Sequence, residues 1–288
     1  MNFNFNFNFN FNFNFNFNLK KILSFILLSV SFSAFSLEEP PGTQTQTTEE
    51  SDAYLKKLKI DREEGNIFMD AGVEKSWNKA DVFIPESIFS KSTSNLQLEK
   101  KYPVVIYLHG CTGITSFHDL RWGRFISNLG FVVILPDSFA RPSRISNCDP
   151  VNTVSTFRFP MALTYREQEI AYAINQLRKT SWADMSNIFL MGHSEGANAV
   201  AQTNITGFRG MILSSGFCNA GIKFENGVKG LVINYDNDPW HKGSGRCQQP
   251  RNDGSISLLF FQGIDHSTFD TPKARDAVQD FLKQNLKK

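Results

Sequence analysis

A serine between two glycines, in Gly192-His193-Ser194-Glu195-Gly196, follows the apolar run Ile188-Phe189-Leu190-Met191. A strand that turns sharply into a helix would hold that hydroxyl at the apex, where it can act as a nucleophile. The flanking glycines answer a steric need. The apex residue is strained, and a side chain two positions away would strike the turn or the neighbouring strand. Gly196-Ala197-Asn198-Ala199-Val200-Ala201 then offers small residues that let a helix lie close to a sheet. The alternative is a tight turn carrying an inert serine, so the partners of the hydroxyl decide.

A serine nucleophile needs a base to take its proton and an acid to orient that base. Five histidines are present. His109 ends an apolar run and suits a structural role in its loop. His193 adjoins the serine on a turn that sends neighbouring side chains in different directions. His118 and His241 fall in loops and could line a pocket. His266, in Gly263-Ile264-Asp265-His266-Ser267, lies beyond the last apolar run and before the last helix, and is the expected base. Two carboxylates stand in Tyr235-Asp236-Asn237-Asp238-Pro239-Trp240. Asp238, fixed by the proline, is the expected acid and Asp236 the alternative. A tetrahedral intermediate also needs two N–H donors. Glu195 would give one from a helix N-terminus, and Cys111, in His109-Gly110-Cys111-Thr112-Gly113, the other.

The elements that must position these residues follow from hydrophobic pattern. Apolar runs at 104–108, 131–135, 187–191, 211–213, 231–234 and 257–261 read as strands, with a shorter one at 81–85. Helices are expected at 119–128, stopped by Gly130, at 164–179, after the serine, and at 271–286. Strands that are apolar throughout and alternate with helices imply a mostly parallel sheet covered on both faces. Sites in such sheets lie at the carboxyl ends of the strands, where every residue named above falls.

The chain order Ser194, Asp238, His266 is that of the α/β-hydrolases. Residues 103–286 resemble that fold and, more narrowly, the dienelactone hydrolase family. The matching pieces are His109-Gly110-Cys111-Thr112-Gly113, Leu135-Pro136-Asp137-Ser138-Phe139 with Arg141 and Cys148, Tyr165-Arg166, the serine turn, Asp238-Pro239-Trp240 and Asp265-His266. The resemblance implies hydrolysis of small esters or lactones without a metal or cofactor. Its name-giving members carry a cysteine nucleophile where this chain has Ser194, so a general carboxylesterase is expected rather than an enzyme for dienelactone. Only about 17 residues separate the runs ending near Leu213 and starting near Leu231, where related hydrolases insert a cap, so no cap domain is expected. The walls would come from residues 136–160 and 239–254, with Phe139, Phe157, Phe159 and Trp240 as apolar surface. Arg141 would meet a substrate carboxylate or, equally, make an ion pair within its loop.

The remaining chain sets the context. Residues 2–18 alternate Asn and Phe without interruption, a low-complexity tract. Lys20-Lys21, an apolar stretch and Ala34-Phe35-Ser36 then read as a signal peptide cleaved after Ser36. Residues 1–36 are therefore expected to be removed, 37–51 to form a polar linker and 52–288 to fold as one domain, periplasmic or secreted, with no stable membrane anchor. Loss of Lys20 and Lys21 takes the formal net charge from +2 to 0, which gives no electrostatic case for nucleic acid. Four cysteines, Cys111, Cys148, Cys218 and Cys247, allow three disulfide pairings. Cys111 with Cys148 and Cys218 with Cys247 is favoured, because the fold brings each pair of loops to one end of the sheet. Four buried thiols are the alternative, and no two are spaced as a zinc clip requires. The expected activity is an exported serine hydrolase acting on a small ester or lactone, with oligomeric state open. A peptidase or acyltransferase using the same three residues, or an interaction protein on a hydrolase fold, are the rivals.

Overall fold

Strands buried on both faces dictate the architecture. In the computed structural model Val104, Val105, Ile106, Tyr107 and Leu108 all have no exposed surface. Burying one such side chain is worth about 1.5–3 kcal/mol, so a strand like this is stable only with layers on both sides. The structure describes residues 72–94, 96–142, 144, 148, 158–218, 221–240, 247 and 254–287, with 158 and 159 as backbone alone. The Asn-Phe tract, the expected signal peptide and linker, His241, Phe157 and the Phe159 side chain lie outside the described residues.

The element order is α1 (Val73–Asn78), β1 (Asp81–Phe83), β2 (Tyr102–Leu108), α2 (Asp119–Asn128), β3 (Val132–Leu135), a 3-10 turn (Ser138–Ala140), α3 (Arg158–Leu177), β4 (Ala183–His193), α4 (Glu195–Gln202), β5 (Gly210–Ser214), β6 (Lys229–Tyr235), β7 (Ile256–Phe261) and α5 (Pro272–Gln284). The strands form one sheet in the order β1-β3-β2-β4-β5-β6-β7. β1 runs antiparallel at the edge and every other pair is parallel. This is the α/β-hydrolase arrangement expected from the sequence.

Alternate residues of each strand feed two cores. Val104, Ile106 and Leu108 join Ile170, Ala173 and Leu177 of α3 and Ala197, Ala199, Val200 and Ala201 of α4. Val105 and Tyr107 join Trp122 and Ile126 of α2 and Ala274, Val278, Phe281 and Leu282 of α5. α2 has the bounds its periodicity predicts. Asp119 accepts the Thr115 N–H at 2.8 Å and hydroxyl at 2.6 Å at its start. Gly130, at φ +100°, ends it by giving its N–H to Ser127 at 3.0 Å.

α3 begins six residues before the expected 164. Pro160 reads as loop in sequence, yet it falls in the first helical turn, where no N–H is needed for the helix. α1 has no counterpart among the expected elements. Its Ser76 carbonyl takes the Asp137 N–H at 3.0 Å and thereby fixes the loop after β3. The β5–β6 connection is residues 215–228, with no helix or strand among its described residues. It lies along α4, with Lys223 N–H on the Ala201 carbonyl at 2.6 Å and buried Phe224 in the core. No cap is inserted there.

Both favoured disulfides form, Cys111–Cys148 with Cα atoms 5.4 Å apart and Cys218–Cys247 at 4.8 Å. The second ties the β5–β6 connection to the segment after β6, closing a separation of 29 residues. Restricting the unfolded chain over such a loop is worth about 3.6 kcal/mol. The double variant Cys218→Ser, Cys247→Ser should lose stability of that order in urea denaturation, with the sheet retained in far-UV circular dichroism.

Candidate active site

The strand order creates the crevice. From β2 the chain leaves to α2 on one face, and from the adjacent β4 it leaves to α4 on the other. Between neighbouring strands whose connections part in this way, the carboxyl edge opens. The two loops that flank the opening touch. A Cβ on Gly110 would lie 3.2 Å from His193 Cδ2 and 3.5 Å from Ser194 Cβ.

Ser194 occupies the strained turn foreseen in the sequence, at φ 55° and ψ −114°. Such a conformation costs a non-glycine residue about 1–3 kcal/mol, and the surroundings hold it there. Its N–H reaches the Ser214 carbonyl at 2.8 Å, and its carbonyl accepts from Asn198 at 3.1 Å to begin α4. The flanking glycines are dictated by contact. A Cβ on Gly192 would come within 2.4 Å of the Gly196 carbonyl, and one on Gly196 within 2.1 Å of the Leu108 oxygen of β2.

Asp238 and His266 meet beside this turn. The His266 Nδ1–H donates to Asp238 Oδ2 at 2.6 Å. The Asp238 side chain is fully buried, and its other oxygen takes the Trp240 N–H at 2.9 Å. The His266 loop is tied to the end of β5 twice. Ser215 Oγ donates to the His266 carbonyl at 2.7 Å, and the Ser214 and Thr268 hydroxyls bond at 2.7 Å. The β5 end in turn receives the Ser194 N–H, so Ser194 and His266 share one anchor. Asp236, the alternative acid, bonds to Gln262 and not to the imidazole.

Glu195 opens α4, where the first N–H groups have no intrahelical partner. Cys111 sits in the turn after β2, held by its disulfide. Beneath both lies a set of buried polar residues whose role the sequence did not disclose. Arg166 donates through Nη2 to the carbonyls of His109 at 3.0 Å and Gly110 at 3.3 Å and to Glu195 Oε1 at 3.2 Å. Through Nη1 it reaches Ser138 Oγ and, at 3.3 Å, Glu169 Oε2. His109 is fully buried, gives its Nδ1–H to the Gly110 carbonyl at 2.7 Å and accepts the Ser138 N–H at 3.2 Å. Burial and the Arg166 charge hold its imidazole neutral, well below the usual pKa. One signal in the sequence marked this network. Arg166 and Glu169 continue, at helical spacing, the apolar stripe of Ile170, Ala173 and Ile174, and a charge in such a stripe needs a buried partner.

Three expectations about the walls change. The Arg141 guanidinium is fully buried and bonds Glu169 at 3.1 Å, Gln168 at 2.8 Å and the Tyr165 carbonyl at 3.0 Å. The ion pair is made to Glu169 of α3 rather than within the loop, and Arg141 is a strut rather than a substrate contact. His118 does not line a pocket: it is 1 % exposed, behind His193 with ring centroids 3.7 Å apart. Phe139 packs against the His109 ring at 5.6 Å and under Gly113, supporting the loop as well as shaping the surface. Trp240 does lie at the site, its ring 5.7 Å from that of His266. A cleft of about 360 Å³ between Asp81, Asp137 and the Thr112–Ile114 side of the loop is lined by none of Ser194, Asp238 and His266.

Two outcomes follow. Gly196→Ala should destabilise the protein by about 3 kcal/mol or prevent folding, because two backbones and no flexible side chain must give way. Burial, chiefly, brings the His118 imidazole down to about 4, against about 6.5 in an unfolded chain. Between those values the unfolded chain binds a proton that the folded one refuses, so stability falls as pH drops from 6.5 to 4. His118 alone accounts for about 3 kcal/mol of that loss. Denaturation curves from pH 4 to 7 should show a shallower slope in His118→Phe.

No protein-family model matches the chain, and no curated protein does. Solved structures with a similar fold exist. A Bacteroides ovatus protein assigned as a dipeptidyl aminopeptidase IV is 15% identical over 72% of this chain, with TM-score 0.47, and the match spans 33% of that larger protein. The esterase PE8 is 16% identical over 71% of this chain and 97% of its own, with TM-score 0.47. An S-formylglutathione hydrolase from Agrobacterium tumefaciens is 18% identical over 72% and 90%, with TM-score 0.45. The reaction is therefore read from the site itself.

Proposed function

We propose that the protein is an exported serine hydrolase that cleaves small, soluble carboxylic esters or lactones through an acyl-enzyme. The observation that carries this reading is the 2.6 Å His266–Asp238 bond beside a serine held at φ 55°. Ser194 Oγ attacks the carbonyl carbon while His266 Nε2 takes its proton, and Asp238 stabilises the imidazolium that results. The oxyanion is met by the N–H groups of Cys111 and Glu195. His266 returns the proton to the leaving alcohol, and water repeats the sequence to free the acid. Trp240, against His266, forms an apolar wall for the substrate.

The motifs shared with the dienelactone hydrolase family support a small-molecule ester or lactone over a peptide. Two disulfides support export, as does the leader-like segment ending at Ser36. The test uses the chain from Leu37. A fluorophosphonate probe should label it stoichiometrically and fail to label Ser194→Ala. On p-nitrophenyl esters Ser194→Ala and His266→Ala should each lower kcat by at least about 10⁴-fold, and the double variant by no more than either. Turnover of anilides but not esters would replace the esterase with a peptidase. No labelling and no turnover would leave a binding protein.

A further inference from the structure

Arg166 lies buried behind the two peptide units that would meet an oxyanion, and its charge has no evident use in packing. Burying a guanidinium costs several kcal/mol, and an apolar residue of similar size often serves stability as well or better. Arg166 and Arg141 are balanced by Glu169 and Glu195, all buried. The net charge of the four is zero, so their long-range field largely cancels. What remains is the set of short, directed bonds from Arg166.

Those bonds have a geometric consequence. In a trans peptide the C=O of one residue and the N–H of the next are antiparallel, and none of the described peptide bonds is cis. The Gly110 carbonyl is held inward by three donors, His109 Nδ1 at 2.7 Å, Arg166 Nη2 at 3.3 Å and Gly113 N–H at 3.3 Å. The Cys111 N–H of that same peptide must therefore point away from Arg166, towards the crevice. The same Nη2 fastens the Glu195 carboxylate at 3.2 Å. A cation bonded to a peptide oxygen also draws electrons from its nitrogen and makes the N–H a stronger donor.

We infer that Arg166 is the positioning residue of the oxyanion hole: with His109 behind it, one buried guanidinium aims and polarises the Cys111 N–H and fixes Glu195. The inference rests on the hydrolase reading. It assigns Arg166 an effect on the transition state, since the charge on the oxygen that Cys111 and Glu195 meet develops only there.

The test compares wild type, Arg166→Lys and Arg166→Met, each normalised by fluorophosphonate titration of Ser194 so that only folded sites count. The expected result is a fall in kcat of about 10²–10³-fold in Arg166→Met, the size of a lost oxyanion donor. KM should stay within about twofold, and a trifluoromethyl ketone, which forms a tetrahedral adduct on Ser194, should lose affinity in parallel. Arg166→Lys keeps the charge and folding but cannot serve all three oxygens, and should fall between the two. It also provides a readout independent of rate, the infrared carbonyl stretch of the acyl-enzyme, which should shift to higher frequency as hydrogen bonding to that oxygen weakens. If Arg166→Met does not fold, the Arg166→Lys stretch and ketone affinity decide. An active wild type whose variants keep kcat, ketone affinity and carbonyl frequency, losing only thermal stability, overturns the inference alone. A wild type that neither labels nor turns over esters overturns the hydrolase reading and this inference together.

Discussion

The structure turns on one close approach. α4 starts against β2 with no room between them, so that even a methyl group on Gly196 would sit 2.1 Å from the Leu108 oxygen. That contact forces the chain to reverse within one residue at the end of β4, and Ser194 absorbs the reversal at positive φ. It also explains the composition of α4, in which Ala197, Ala199 and Ala201 are all buried and a larger residue would push the helix off the sheet. Strain of about 1–3 kcal/mol at the serine is small against the apolar burial on either side. The turn is therefore held by its surroundings and not by its own preference.

The second constraint is electrostatic. Four charges and a neutral histidine fill the space between the β2 and β3 loops and α3, where hydrophobic side chains would be expected from the elements alone. Each charge has at least one partner within 3.3 Å. The arrangement costs desolvation, and the return is orientation. Arg166 bonds two carbonyls of the loop after β2 and the Glu195 carboxylate at the start of α4, which apolar packing cannot do because it has no direction. Outside the same loop, the Cys111–Cys148 disulfide restrains Cys111. The loop is clamped from within by hydrogen bonds and from without by a covalent bond.

Much of this was legible in the chain, and the reasons divide cleanly. The strands, α2 and α5 follow from period and from apolar runs too uniform to be solvated on either face. Asp238 and His266 were accessible because strand order places their loops at one edge, and the disulfide pairing followed from the same placement. α1 and the true start of α3 were not, because a six-residue helix has too few turns for a period and Pro160 imitates a loop. Arg141 was left between two readings, since sequence cannot tell an inward guanidinium from an outward one. The role of Arg166 was hidden for a related reason. Two of its partners are backbone oxygens, which every residue carries, and its side-chain partners Ser138 and Glu195 are 28 and 29 residues away in sequence, so no local pattern announces them.

His266 is held differently from Ser194, and under the proposed mechanism the difference fits their tasks. Ser194 is locked between two regular elements. His266 is on a loop, 20 % exposed at the side chain, and held by hydroxyl and carboxylate bonds from Ser215 and Asp238, with Thr268 tying its loop to Ser214. A nucleophile must present one atom at one place, which suits a strained and rigid turn. A base that receives a proton and gives it to a different oxygen must keep its ring plane while tolerating small shifts, which suits anchoring at Nδ1 and at the backbone. The β5 end joins the two, because it bonds the Ser194 N–H on one side and the His266 loop on the other. The backbone of Ser194 and the loop of His266 are thus both referred to one strand, and a displacement of β5 would move their anchors together.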